Sequence, residues 1–416
     1  MKIAHISYSA QGGGAFIACR RLNNAMCASG IDSCILTAGQ FSPFPSHPSL
    51  LQRLWHRVKS RCYWRKVRKE LRNYNNITGT WSSAHGLNRL DSNKVFNEAD
   101  LIYLHWVNFD MVSIEELGRV LDSGKQCVWF MHDMWPLTGG CHYSLECDKY
   151  QHHCSCCPML SSNDEKDLSY SVFERKLRYL AGHSNLTIVA PSHWLAECAK
   201  KSRLFAGNRI EVIPNVIDTD VFRPVSKRVA REALGLPMDR KLVLFGCDAG
   251  SRNFYKGWDY LKGAFHKMDA SCMDLVMFGA KEGDALNEIS QRVHCLGRLH
   301  DEITLAIAYS AADVFVSPSI AENFSLTLCE ASACMVPVVC FEVGGNSDIV
   351  LNKNTGYLAK YKNIDDLARG VEWCVNTPEY DTIAAQARNH IEQICSYEVV
   401  LKQHKDLIKT LCARKY

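Results

Sequence analysis

The chain has 416 residues, of which 47% are hydrophobic and 22% charged, with 12 prolines. This composition is typical of a globular protein of two or three domains, and it excludes disordered, collagen-like and solenoid classes. No stretch reaches the roughly 20 apolar residues of a membrane-spanning helix, and the N-terminal residues lack the apolar core of a signal peptide. We therefore expect a protein that is neither secreted nor integral to a membrane.

The 20 cysteines are of two kinds. Most stand singly in apolar runs, where a thiol behaves as a small hydrophobic group, so we expect reduced thiols and a cytoplasmic location. Cys141, Cys147, Cys154 and Cys157 instead crowd into one short segment, together with Cys156. Four thiolates in a reduced chain suit a closed structural zinc site, although only Cys154 and Cys157 have the spacing typical of ligands. Packed or free thiols are the alternative.

The net charge of +4 hides an asymmetry, because residues 51–72 hold nine Lys or Arg and one Glu. Apolar residues recur there near a helical period and include Trp55 and Trp64, which predicts a basic amphipathic helix. Such a helix can dock on the inner, anionic membrane surface, or its apolar stripe can pack on the domain. The rest of the chain has no extended basic face, so we expect no nucleic-acid partner.

Short apolar runs rich in β-branched residues alternate with segments of helical period, the pattern of parallel strands joined by crossover helices. The sequence therefore predicts an α/β protein. The expected strands are residues 2–7, 33–38, 100–106, 126–132, 186–192 and 210–216, and then 241–247, 274–280, 293–299, 313–319 and 336–343.

The alternation pauses at residues 218–240 and then restarts, which indicates two doubly wound domains. We expect an N-terminal domain over residues 1–222, a C-terminal domain over 223–395, and a helix over 396–416 that packs back on the N-terminal domain. Because ligands of open α/β sheets bind beyond the carboxyl ends of the strands, such domains face an interdomain cleft, and functional residues should follow strands.

Glycines follow the first predicted strand and precede a helical stretch. Gly13 and Gly14 stand where backbone N–H groups and a helix N-terminus can approach a phosphate. A tight turn without a ligand remains the alternative reading, because glycine-rich loops are common.

Two glutamates eight residues apart follow the strand that ends near Ser319. Glu322 falls in the loop after the strand, where it can hydrogen-bond hydroxyl groups. The helix that starts near Ser325 can point its N-terminal N–H groups at a diphosphate. Glu330, further along the helix, can reach a ribose or can be an ordinary surface residue.

In these features the sequence resembles the retaining nucleotide-sugar glycosyltransferases of family 4, which have the GT-B fold of two Rossmann-like domains. The resemblance covers nearly the whole chain. Its motifs are the glycine loop, His132-Asp133, IPNVIDTDVFRP at 213–224, FYKGWD at 254–259, SAADVFVSPS at 310–319, the two glutamates, and VGGNSDIV at 343–350. A branch that acts in bacterial polysaccharide synthesis also looks similar around the cysteine segment.

The resemblance implies the roles of the donor-binding residues. Glu330 would hold the ribose of the donor, Glu322 the hydroxyls of its sugar, and Lys256 the diphosphate. The family's second cation is displaced here to Arg252. The family's EGFG loop is changed to Glu-Asn-Phe-Ser, so that the loop and helix start comprise Asn323, Phe324, Ser325 and Leu326.

His132 and Asp133 complete the expected catalytic set with Glu322. In similar enzymes a histidine at the position of His132 touches the donor sugar, while a histidine that caps the strand is the alternative. Lys256 and the helix near Ser325 would stabilise the leaving diphosphate, so no catalytic metal is expected.

We therefore expect a retaining transferase that moves a sugar from a nucleotide diphosphate sugar to an acceptor hydroxyl, the acceptor being a lipid-linked saccharide of a surface polysaccharide. An epimerase or another GT-B enzyme is the nearest alternative. A zinc-stabilised nucleic-acid-binding protein is the alternative from a different class.

Overall fold

The computed structural model describes residues 1–9, 12–44, 49–74, 76–109, 111–246, 253–279 and 289–413. It gives no side-chain description for residues 52, 53, 55–57, 59, 62 and 66. The chain forms two compact units. Unit 1 comprises Met1–Ile213 with His404–Tyr416, and unit 2 comprises Pro214–Gln403.

Unit 1 is built on a six-stranded sheet in which every pair of neighbouring strands is parallel. The strand order is β2-β1-β3-β4-β5-β6. The strands are β1 (Lys2–Ser7), β2 (Asp32–Thr37), β3 (Leu101–Leu104), β4 (Gln126–Phe130), β5 (Leu186–Ala190) and β6 (Arg209–Val212).

Unit 2 is built on a second parallel six-stranded sheet, with the order β12-β11-β10-β7-β8-β9. This is the doubly wound order of Rossmann folds. The strands are β7 (Lys241–Gly246), β8 (Met273–Phe278), β9 (Val293–Cys295), β10 (Val314–Ser317), β11 (Val338–Phe341) and β12 (Gly356–Ala359).

Helices connect the strands, and several begin at a residue whose side chain accepts a hydrogen bond from a free N–H of the first turn. Unit 1 contains α1 (Gly14–Ala28), α2 (Leu50–Leu71), α3 (Lys94–Glu98), α4 (Ile114–Asp122), α5 (Leu168–Leu180) and α6 (His193–Lys201). Unit 2 contains α7 (Lys227–Leu234), α8 (Trp258–Phe265), α9 (Glu302–Ala311), α10 (Leu326–Ala333), α11 (Asn346–Ile349), α12 (Ile364–Asn376) and α13 (Tyr380–Cys395). The last helix is α14 (Tyr397–Ala413).

The sheet of unit 2 is buried on both faces because apolar residues occupy both sets of alternating positions. On β7, Leu242 and Leu244 belong to one hydrophobic cluster, and Val243 and Phe245 belong to the other. Continuous apolar runs of this kind are what parallel sheets covered by helices require. They also explain why the sequence pattern located these strands.

The α/β class and the two parallel sheets are confirmed, and the predicted strands differ from the observed ones by a few residues at their ends. One strand, β12, was missed. Its four residues, Gly-Tyr-Leu-Ala, include no β-branched residue, and a run this short with Gly and Ala gives only a weak strand signal through Tyr357.

The boundary between the units precedes the position that the sequence suggested. Residues 214–222 belong to unit 2, and Ile217 and Phe222 lie in its core. At the other end, α14 begins in unit 2, and its residues from His404 onward belong to unit 1. The buried side chains of Leu407, Ile408 and Leu411 hold this last part of the helix in place.

The basic segment forms α2, as predicted. The stripe of apolar residues is divided along the helix: Val67 near its end is buried, whereas Leu54 and Val58 nearer its start are exposed. Trp55 and Cys62 lie outside the described side chains. Within the described residues, no helix combines the length and the apolar character that crossing a bilayer would require.

Candidate functional site

Each sheet has one point where the strand order reverses, and side chains after the strands on either side of that point are brought together. In unit 2 this switch point lies between β7 and β10, and in unit 1 it lies between β1 and β3. The residues singled out from the sequence are distributed over these two places.

At the switch point of unit 2, Lys256 and Glu322 form an ion pair. Lys256 Nζ lies 3.0 Å from Glu322 Oε2, and both side chains are partly shielded from solvent. Lys256 ends a short 3₁₀ turn that follows β7, and Glu322 lies in the loop after β10. The structure therefore places together a cation and a carboxylate that are 66 residues apart in the chain.

Two glycines allow the neighbouring loops to approach this pair closely. Gly257 and Gly344 both have positive φ angles, of 69° and 57°. A Cβ at Gly257 would lie 1.9 Å from the carbonyl oxygen of Pro318, and one at Gly344 would lie 1.7 Å from that of Glu322. Only glycine fits here, so the KG and VGG motifs position the loop that carries Glu322.

The helix after this loop, α10, begins where the sequence predicted, with Ser325 as its N-cap. The Ser325 hydroxyl accepts the N–H of Leu328 at 3.4 Å, so that N–H is not free for a phosphate. Phe324 lies in the core of unit 2 and Leu326 packs against that core, while Asn323 is buried. Any donor contact of Phe324 and Leu326 is thus limited to their backbone.

Glu330 is buried and is not a surface residue of the helix, because only 4% of it is exposed. Tyr309 on α9, itself fully buried, donates its hydroxyl to Glu330 Oε2 at 3.0 Å. A buried carboxylate requires such a donor, because an unpaired one is costly. No sequence pattern points to Tyr309, because its partner is 21 residues away on another helix.

The remaining residues predicted to bind the donor are Arg252 and the glycines after β1. Arg252 lies outside the residues that the structure describes. Gly13 is the N-cap of α1, has a φ of 81°, and leaves open space where a Cβ would be, while Gly14 is the first helical residue. Gly12 also has a positive φ, of 72°, so the loop depends on glycine for its conformation.

In unit 1, His132 is the end of a row of three hydrogen-bonded imidazoles. His105 Nδ1 lies 2.9 Å from His132 Nε2, and His105 Nε2 lies 2.8 Å from His5 Nδ1. Because a neutral imidazole carries a single N–H, all three rings must donate in the same direction. The tautomer of His132 is thereby linked to that of His5, which is buried inside β1.

Burial keeps these histidines uncharged. It lowers the pKa of His132 to about 4 and that of His5 to about 3, and it lowers the pKa of His105 well below its ordinary value. His404 on α14 accompanies them: it pairs with the Tyr103 hydroxyl at 3.2 Å, and burial lowers its pKa to about 3.

Asp133 is buried and already holds three donors. Its Oδ2 accepts from Trp106 Nε1 at 2.7 Å and lies 2.6 Å from His142 Nδ1, and its Oδ1 accepts the N–H of Trp135. Burial alone raises the pKa of an aspartate, but these partners hold the pKa of Asp133 below its ordinary value. The geometry suits a residue that fixes the loop after β4.

The four cysteines singled out from the sequence converge. Cys141, Cys147, Cys154 and Cys157, all free thiols, line a cavity of about 20 Å³. Cys156 is not one of the residues that line this cavity. Its Sγ donates instead to the carbonyl oxygen of Asn163 at 3.5 Å.

Lys176 is buried beside this cavity. Its ammonium donates to the carbonyl oxygens of Trp135 and Thr138 and lies 3.5 Å from the centre of the Trp135 ring. Burial lowers the pKa of Lys176 to about 7. A cation in this position is close to Cys154 and Cys141, with which it interacts electrostatically.

Two parallel α/β units with polar residues at both switch points correspond to the GT-B fold, which solved structures of similar shape share. Sucrose-phosphate synthase from Thermosynechococcus elongatus superposes with a TM-score of 0.66 at 20% identity, over 99% of both chains. HepE from Anabaena, solved in complex with UDP and glucose, gives a TM-score of 0.61 at 16% identity, over 98% of this chain and 99% of that one.

The chain belongs to glycosyltransferase family 4. The model described as Glycosyltransferase Family 4 matches residues 12–221, which is just over half of the chain, and the one described as Glycosyl transferases group 1 matches residues 226–390.

A D-inositol 3-phosphate glycosyltransferase from Xylanimonas cellulosilytica is 36% identical over 167 residues. That match covers 36% of this chain and 39% of the relative, so the chain spans about two fifths of the relative's length.

The buried histidines of unit 1 predict acid sensitivity. The folded protein keeps His5, His132 and His404 neutral down to a pH of about 3 to 4, whereas the unfolded chain protonates them below about 6.5. The unfolded state therefore binds more protons in this window, and the free energy of unfolding should fall as the pH drops from about 6.5 to about 4.

Urea unfolding, followed by tryptophan fluorescence between pH 7.5 and 4.5, measures this slope. Each histidine contributes at most about 1.4 kcal/mol per pH unit, so His404→Gln should flatten the slope. His152→Gln, which replaces an exposed histidine of the same unit, should leave it unchanged. Equal slopes in the wild-type protein and His404→Gln would contradict the prediction.

Proposed function

We propose that this protein transfers a sugar from a nucleotide diphosphate sugar to an acceptor hydroxyl, with retention of the anomeric configuration. The observation that carries the proposal is the pairing of Lys256 with Glu322 at the switch point of unit 2, with the buried Glu330 on the helix that follows. Lys256 suits a diphosphate, Glu322 suits sugar hydroxyls and Glu330 suits a ribose. These are three parts of such a donor.

In the proposed reaction the bond between the anomeric carbon and the diphosphate oxygen breaks, and the leaving diphosphate keeps the electron pair. The acceptor oxygen attacks on the same face, and its proton passes to the departing phosphate oxygen. Lys256 and the first N–H groups of α10 stabilise the charge that develops on the diphosphate. The proposal assigns no catalytic role to a metal ion.

Glu322 is proposed to release Lys256 to the diphosphate and to bind hydroxyls of the donor sugar. Tyr309 is proposed to fix the carboxylate of Glu330 so that the other oxygen faces the ribose. His132 is proposed to contact the transferred sugar in its neutral form, as its low pKa suggests. Asp133 then serves to hold the loop on which His132 lies.

The donor is proposed from a comparison, and the acceptor is proposed from the resemblance found in the sequence. HepE was solved with UDP and glucose, which favours a UDP-sugar donor for this chain. The acceptor is proposed to be a lipid-linked saccharide of a surface polysaccharide. The name of the Xylanimonas relative offers a phosphorylated cyclitol as the competing acceptor.

The donor assignment predicts a different binding defect for each of three variants. Glu330→Ala should weaken the binding of UDP and of UDP-glucose alike, since both contain the ribose. Glu322→Gln should weaken the binding of UDP-glucose but not that of UDP. Lys256→Met should weaken the binding of UDP more than that of uridine, which has no diphosphate. About 10-fold or more is expected in each case, because each variant removes a charge-assisted hydrogen bond.

Thermal shifts with uridine, with UDP, GDP and ADP, and with their glucose conjugates measure these affinities, since a ligand of the folded state raises the melting temperature. Glu398→Ala, an exposed glutamate of unit 2, is the matched control. The absence of a shift with every nucleotide, or equal loss in Glu398→Ala, would refute the donor site. NMR of the product's anomeric proton tests retention.

We also propose that Cys141, Cys147, Cys154 and Cys157 bind a structural zinc ion. The cavity that they line has room for about one water-sized atom. Cys154 Sγ already accepts the N–H of Gly139 at 3.1 Å. Burial raises the pKa of Cys157, and the N–H groups of Leu160 and Met159 oppose this rise by favouring its thiolate. A zinc tetrathiolate carries two negative charges, and the Lys176 ammonium is placed to offset part of them.

The ion would draw the sulfur atoms together. Zinc lies about 2.3 Å from each thiolate, so tetrahedral ligands lie closer to each other than 4.8 Å. Among the described residues, the one group of three potential ligand atoms within 4.8 Å of one another is that of His5, Cys19 and His105. The sulfur atoms of the four cysteines would therefore have to move closer together to bind the ion. Because His105 uses both ring nitrogens in hydrogen bonds, we interpret that group as part of the histidine row.

Metal content distinguishes the four proposed ligands from Cys156. Protein purified without chelators should contain about one zinc ion per chain by plasma mass spectrometry, and a Cys154→Ser, Cys157→Ser variant should contain almost none. Cys156→Ser should retain the ion. No zinc in the wild-type protein, or its loss in Cys156→Ser, would refute the site.

We further propose that α2 docks on the anionic, cytoplasmic face of a membrane. Four aliphatic residues near its start are largely exposed: Leu50 at 79%, Leu51 at 79%, Leu54 at 55% and Val58 at 64%. They belong to a helix rich in Lys and Arg, and this combination of apolar contact and positive charge favours anionic lipid.

Vesicle sedimentation tests this proposal. Binding to phosphatidylglycerol vesicles should fall at least 10-fold in the Leu51→Ser, Leu54→Ser, Val58→Ser variant, and neutral phosphatidylcholine vesicles should bind weakly from the start. Ile303→Ser replaces an equally exposed aliphatic residue of unit 2 and should bind as the wild type does. Unchanged binding of the triple variant would refute the membrane role of α2.

A further inference from the structure

Three aromatic residues gather at the switch point of unit 1. Tyr8 follows β1 directly, and Trp106 and Phe109 follow β3, so they flank the position where the strand order reverses. We call these three residues the aromatic platform. In open α/β sheets such a position is where a ligand binds, beyond the carboxyl ends of the strands.

The rings of the platform hold each other in place. Trp106 meets Phe109 edge to face with ring centres 4.7 Å apart, and Tyr8 meets both rings at 5.9 Å. Trp106 is fixed by its hydrogen bond to Asp133, and the ring of His142 stacks on Phe109 at 5.9 Å. The platform is therefore connected to the loop after β4.

The platform is exposed although its members are large and apolar. Phe109 is 46% exposed and Tyr8 is 37% exposed. Phe109 also has a φ of 47°, in the left-handed region that bulky residues avoid. Backbone strain of this kind, about 1 to 3 kcal/mol, persists mainly at binding and catalytic positions. Neither the exposure nor the strain benefits the packing of unit 1.

We propose that the aromatic platform binds a neutral pyranose ring of the acceptor saccharide. A pyranose presents C–H groups on one face and hydroxyls at its edge, so its face packs on aromatic rings while a neighbouring phenol or imidazole bonds its hydroxyls. This inference rests on the proposed transferase function and specifies the acceptor as a saccharide.

Saturation-transfer NMR with methyl α-D-glucopyranoside, methyl β-D-galactopyranoside and myo-inositol 3-phosphate tests the platform. At least one glycoside should show saturation of its ring protons with the wild-type protein, and the signal should fall at least fivefold in Phe109→Ala and in Tyr8→Ala. Leu351→Ala, which shortens a comparably exposed side chain of unit 2, should keep the full signal. Both platform residues are exposed, so their variants should fold.

Two outcomes would overturn the inference: signals unchanged in both platform variants, or saturation of myo-inositol 3-phosphate alone. The UDP thermal shift of each variant separates this failure from that of the proposed function. If both platform variants keep the UDP shift and the full glycoside signal, only the platform is refuted. A wild-type protein without any nucleotide shift refutes the transferase proposal itself.

Discussion

All strands of both sheets run parallel, and this single constraint decides where chemistry can occur. A parallel strand cannot be followed by a tight hairpin, so each chain segment must leave the sheet at its carboxyl edge and return through a crossover. The loops that leave together at a switch point are the ones that can combine residues from distant parts of the sequence. Lys256 meets Glu322 in this way, and Tyr8 meets Trp106 and Phe109.

The loop after β4 links most of the notable features of unit 1. His132 begins it and is bound to the histidine row, while Asp133 bonds both Trp106 of the aromatic platform and His142 next to Cys141. A metal ion at the cysteines would therefore act on the chemistry only through this chain of hydrogen bonds. One buried carboxylate, Asp133, thus connects the loop that carries His132 to Trp106 and to His142.

The fold was predictable because the strands are apolar on both faces and therefore stand out as continuous runs. Glu322 and Lys256 could be singled out from the sequence because each lies between a strand and the following helix, and the structure brings them together. Tyr309 and His5 could not, because each lies inside a regular element and gains its role from a partner on another element. No local pattern records such a contact.

The sequence also could not show which members of a motif face the site. Phe324 belongs to the recognised loop, yet its side chain lies in the core of unit 2. The single apolar stripe of α2 divides into a buried and an exposed part. Side-chain direction depends on packing, which only the three-dimensional structure supplies.

The last helix gives the chain a particular order of folding. Unit 1 is completed by residues from His404 onward, and the pairing of Tyr103 with His404 spans 301 residues. During synthesis unit 2 has all of its residues before unit 1 does, so the surface of unit 1 that the end of α14 covers stays open until that part of the helix has been made. A stalled or prematurely terminated chain would therefore expose apolar surface in the half of the molecule that was made first.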